Sequence, residues 1–124
     1  MAWSTTIVGP PDGRMSDYMA SLDKLRARSD AIYWPGHGGP VREPQRFVRA
    51  LAGHRRYREN AIVTAIGAGL DTIPAIVAKI YDGLDPRLTG AAGLSVLAHL
   101  EDLVARGVVD AAGPATLTAR YTVR

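Results

Sequence analysis

The chain has 124 residues, 47% of them apolar, with 15 Lys/Arg against 12 Asp/Glu and no cysteine. That length supports one modest hydrophobic core and leaves little room for two full domains. Without cysteine there can be no disulfide, thiolate zinc site or cysteine nucleophile, so any metal must sit on His, Asp or Glu.

No stretch reaches the roughly 18 to 20 consecutive apolar residues of a membrane span. The opening MAWSTTIVGPPDG lacks the basic start and apolar core of a signal peptide, so a cytoplasmic protein with no membrane partner is expected. The net charge of +3 is unevenly spread: residues 1–60 hold 10 Lys/Arg against 6 Asp/Glu, and residues 61–124 hold 5 against 6. Much of the excess is the run Arg42, Arg46, Arg49, Arg55, Arg56 and Arg58. Such a run suits a solvated helix face, or a surface that meets phosphates or an acidic substrate.

In chain order, Ser4 to Val8 is a β-branched run closed by Gly9-Pro10-Pro11-Asp12-Gly13, as in a strand entering a loop. Ser16 is placed to cap a helix in which Met15, Met19, Leu22 and Leu25 recur at helical spacing. Ala31-Ile32-Tyr33-Trp34 predicts a second buried strand, feeding into Pro35-Gly36-His37-Gly38-Gly39-Pro40. Strand, helix, strand and loop make a βαβ-like unit without partner strands, which reads as the end of a larger sheet domain.

Pro44 opens a long helix whose apolar residues fall near a helical period, with a bend expected at Gly53 and a stop at Gly67 and Gly69. Thr72 caps a helix bearing Ile73, Ile76, Val77 and Ile80; Gly83, Asp85 and Pro86 break it; and a further helix is predicted from Leu88 to Arg106. Val108–Asp110 and Leu117–Val123 then predict a hairpin around Ala111-Ala112-Gly113-Pro114, with Leu117, Ala119, Tyr121 and Val123 on one face. Three helices followed by a terminal hairpin make a winged helix. The predicted class is α+β, divided into residues 1–45 and a linker helix plus winged-helix-like domain over residues 46–124.

Of the residues that could carry chemistry, His37 stands out, because glycines on both sides let the backbone turn tightly and leave the imidazole free to bind a metal at a strand end. An exposed loop histidine fits the same pattern. His99 lies between Leu97 and Leu100 and reads as a hydrogen-bonded core histidine, while Asp12 and Asp17 are accounted for by a turn and a helix dipole.

Taken in order, Ser4–Val8, Pro10-Pro11-Asp12-Gly13, Asp17–Leu22, the Pro-Gly-His-Gly loop and His54-Arg55 with Arg58 resemble the closing third of metallo-β-lactamase-fold hydrolases. The branch with glyoxalase-II-like and endoribonuclease-like members, whose catalytic fold is followed by a winged-helix-like domain, is the nearest in pattern. The resemblance implies that residues 1–45 are the terminal piece of an αββα sandwich. It also implies two metal ions, usually zinc, held by a His-x-His-x-Asp-His cluster, a further histidine, a bridging aspartate and a last histidine that His37 matches. The cluster is absent from these residues and the bridging aspartate would precede Met1, so no catalytic residue is assigned and the chain alone is expected to bind no metal and to be inactive. By the same resemblance, His54, Arg55 and Arg58 line the substrate entrance or tie the linker helix to the catalytic part.

Two other readings stay open. As a binding module, the chain would meet nucleic acid through Arg46, Arg49 and Arg56, with Arg55 and Arg58, since the Leu88–Arg106 helix has arginines only at its ends. As an interaction protein it would use exposed strand edges to recruit a second copy or a complementing catalytic segment.

Overall fold

The computed structural model describes residues 8–30, 32 and 41–124. Within them lie four helices and one small sheet: α1 (Met15–Arg26), α2 (Pro44–Gly67), α3 (Ile73–Ile80), a 3₁₀ turn (Pro86–Leu88), α4 (Thr89–Ala105), β1 (Val109–Ala111) and β2 (Tyr121–Val123). The strands expected at 4–8 and 31–34 fall almost wholly outside the described residues. Val8 and Ile32, which are described, belong to neither helix nor strand.

The caps of the second half follow from its sequence. Pro44 sits in the first turn of α2, where its missing N–H costs nothing. At the other end Gly69 takes φ +100°, its N–H reaching the Ile66 carbonyl while the Leu70 N–H reaches that of Ala65. This 5→2 and 6→1 pair closes the helix on a residue that must be left-handed. The Thr72 hydroxyl accepts the Ala75 N–H at 3.4 Å and caps α3. Gly53 does not interrupt α2: the helix runs through it, and open space surrounds the position where a side chain would be.

The start of α1 differs from expectation. The helix begins at Met15, with Arg14 in the capping position and no side-chain cap bond, so Ser16 lies inside the first turn. Packing decides this. Met15 is 1% exposed and meets Val8 and Ala98 of α4, so burial of a large side chain seats the helix end without a hydroxyl cap.

The main core gathers Ile62 and Ile66 of α2, Ile76 of α3, Leu100 and Leu103 of α4, and Val109 and Tyr121 of the hairpin. A second layer of contacts joins α1 to the first half of α2 through Leu22, Val48 and Ala52. By length and composition Pro86–Ala105 would reach across a bilayer. Here Ala98, Leu100 and Leu103 have no exposed surface, and that apolar side is the protein core.

β1 and β2 pair antiparallel with Val109 opposite Val123 and Ala111 opposite Tyr121, and a single bridge joins Thr72 to Arg120. The second strand is shorter than its alternation suggested. Tyr121 is fully buried and Ala119 partly so, whereas Leu117 and Val123 are 45% and 42% exposed, so the expected four-residue apolar face reduces to one full anchor with Ala119 beside it. The Tyr121 phenol donates to the Thr116 carbonyl at 2.6 Å, which draws residues 112–119 into a wing loop and delays the start of the strand to Tyr121.

Candidate functional site

His54, Arg55 and Arg58 lie on consecutive turns of α2, where its two halves meet. Arg55 is only 4% exposed and its guanidinium lies over the Tyr18 ring of α1, 4.8 Å from the centroid. Arg58 is half-buried, donates from Nη1 to the Ile80 carbonyl at 2.8 Å, and lies over the Tyr81 ring at 4.2 Å. Arg55 thus joins α2 to α1, and Arg58 joins it to the end of α3. The structure therefore removes both from the nucleic-acid face expected of the whole run. An α-helix advances about 100° per residue, so a continuous basic run is divided between faces.

Arg46, Arg49 and Arg56 are exposed, spaced by three and seven residues, and form a stripe on one side of α2. Arg46 carries an exposed ion pair with Glu43 at 3.4 Å. His54 is half-buried, and burial, then the charges of Arg58 and Arg55, hold its pKa below the usual imidazole range. His37 lies outside the described residues.

His99 is buried, as expected, but it is not the hydrogen-bonded core histidine that was expected. Only 2% of it is exposed, and neither ring nitrogen has a hydrogen-bond partner. Burial, then the charges of Arg55, His54, Arg106 and Arg58, push its pKa down to about 4. It is a neutral imidazole facing cations. Arg106 itself is neutralised by Glu59 at 2.8 Å and Asp102 at 3.0 Å, which ties the end of α4 to α2.

Among the described residues no three His, Asp or Glu side chains come together as metal ligands. His54 and His99 sit among arginines, an environment that repels a cation, and so these residues do not fit a dimetal centre. Sequence reading missed Tyr18 and Tyr81 as the rings that hold Arg55 and Arg58. Those contacts are made between elements, and no local spacing announces them.

Residues 72–115, from the α3 cap through β1, match the family described as the beta-lactamase associated winged helix domain. The chain carries the winged helix of metallo-β-lactamase-fold proteins. A metallo-beta-lactamase family protein from Thermus thermophilus superposes with a TM-score of 0.71 at 26% identity over 89% of this chain. A beta-lactamase domain protein from Burkholderia ambifaria, 22% identical over 89% of this chain, shares the fold with a TM-score of 0.77. The chain spans about a third of the length of each, 33% in both cases. The similarity extends beyond the matched domain, which begins only at residue 72, into α1 and α2.

Proposed function

We propose that the chain is the C-terminal, winged-helix-bearing part of a metal-dependent hydrolase, with zinc as the metal and His37 as one ligand. One observation carries this reading: the winged-helix match sits within a structural similarity covering 89% of the chain, so α1 and α2 belong to the same architecture as the domain that follows them. Residues 1–45 are the end of the catalytic fold and residues 46–124 the linker helix and winged helix. Arg55 and Arg58 serve the junction, holding α2 against α1 and α3, and His54 stands between them. When bound, the metal ions supply a hydroxide nucleophile at neutral pH. The remaining ligands come from a complementing catalytic segment or a second copy, in a cytoplasmic setting.

Metal analysis of the purified 124-residue chain, with a screen on generic ester and phosphodiester substrates, tests this. The expected result is less than one zinc per chain and no turnover. Joined to a segment carrying the His-x-His-x-Asp-His cluster, the chain should take up zinc and hydrolyse substrate, and His37→Ala should abolish both. Metal content and turnover unchanged by His37→Ala would overturn the assignment.

The exposed stripe of Arg46, Arg49 and Arg56 favours one second reading, nucleic-acid binding through α2. Three phosphate contacts give a log K against log salt slope of about −2 to −3 on duplex DNA. Replacing all three arginines by glutamine is expected to flatten that slope. Absence of binding at low salt would refute this reading.

A further inference from the structure

A groove of about 470 Å³ runs between the second half of α2 and the end of α3, a size within the usual range for small-molecule sites. Its wall on α2 and the C-cap of that helix is cut back to methyl groups at Ala61, Ala65 and Ala68, beside Asn60 and Thr64, and Leu70 and Ile80 add apolar surface. Longer side chains at the alanine positions would fill the trough.

The charge in this lining has one sign. It contains two cations, Arg58 and Lys79, and no carboxylate. Arg58 is fixed by the Ile80 carbonyl and the Tyr81 ring, so it cannot swing out to solvent, yet its buried Nε has no acceptor. Among the described residues neither cation pairs with an acid. A partly buried cation held without a counter-ion keeps much of its electrostatic attraction for an anion, because the water that would screen it is partly excluded. At the rim, Tyr57 is 68% exposed and offers both a ring face and a hydroxyl.

An apolar trough with an uncompensated cationic end is complementary to one ligand chemistry. We propose that this groove binds an amphiphilic anion, an acyl or aryl body lying along Ala61, Ala65 and Ala68 with a single carboxylate directed to Arg58 and Lys79. A polyanion such as nucleic acid has no apolar body to fill the trough. It would also seek the exposed arginines of α2 instead.

Calorimetric titration of the 124-residue chain with decanoate, and with decanol as the uncharged analogue, tests the proposal. Decanoate is expected to bind saturably at one site per chain, with decanol at least about tenfold weaker, the ratio that 1.4 kcal/mol of charge interaction produces. Ala61→Leu fills the trough and should reduce decanoate affinity about tenfold or more. Lys79→Gln, which removes the charge at an exposed position in the last turn of α3, should do the same while lowering the melting temperature by no more than a few degrees. It carries the test if Ala61→Leu fails to fold. Absence of saturable binding, equal binding of decanol and decanoate, or affinity unchanged in both variants would overturn the proposal. So would a dimer seated in the groove, recognised by dissociation on Ala61→Leu and no response to decanoate.

Discussion

Tyr121→Ala is expected to cost about 4 kcal/mol, within the usual range for deleting a fully buried aromatic side chain. Tyr121 has no exposed surface and packs in the core formed by α2, α3 and α4. Its backbone N–H reaches the Asp71 carbonyl at 2.9 Å and its phenol the Thr116 carbonyl at 2.6 Å, so one residue fastens both the start of α3 and the wing loop. A domain of this size has roughly 5–15 kcal/mol of stability in total, so the loss removes between about a quarter and most of it. Tyr121→Phe keeps the ring and removes only the hydroxyl, with an expected cost of about 1 kcal/mol. Calorimetric melting of both variants separates the contributions. A Tyr121→Ala protein that melts like the parent would show that the hairpin contributes nothing to the core.

The elements legible in the sequence are those whose ends are set by local chemistry. Pro44, the left-handed Gly69 and the Thr72 hydroxyl each act within a turn of their own position, and the boundaries they predict are those observed. Ser16 failed as a cap because Met15 is buried against Ala98, a residue 83 positions away that no local pattern includes. The second strand was overdrawn for a related reason. Leu117 to Val123 alternates as a strand should, but the Tyr121–Thr116 hydrogen bond folds its first half into the wing.

The candidate site divides along the same line. That α2 is basic was plain from composition; which arginines turn inward was not. Tyr18 lies 37 residues before Arg55, and Tyr81 lies 23 after Arg58, and it is these rings that fix the two guanidinium groups. The exposed stripe of Arg46, Arg49 and Arg56 is what remains once those contacts are made. The burial of His99 could be read from Leu97 and Leu100, whereas the lack of any partner for its nitrogens depends on what α2 presents to it.

That lack makes His99 the acid-sensitive point of the fold. Its folded-state pKa of about 4 lies below the ordinary imidazole value of 6.5, so between those pH values the unfolded chain holds a proton that the folded chain refuses. Stability therefore falls as pH drops from about 6.5 to about 4, by about 3 kcal/mol from this group, and the contribution is constant outside that window. His54, lowered for the same reasons, acts in the same direction. The groups facing His99 are Arg55, Arg58 and His54 from α2 and, beyond the end of α4, Arg106, whose own partners are Glu59 and Asp102, so a proton placed there meets positive charge and gains no hydrogen-bond acceptor. His99→Leu has a similar volume and no polar atoms, and removing two unpaired buried nitrogens should raise stability at pH 7 by about 1–2 kcal/mol. The sharper expectation is a difference between two curves. The parent should lose about 3 kcal/mol more than His99→Leu between pH 7 and pH 4, because carboxylates that titrate in both proteins cancel. Urea unfolding of the two proteins across that range measures it, and parallel curves would place the acid sensitivity elsewhere in the fold.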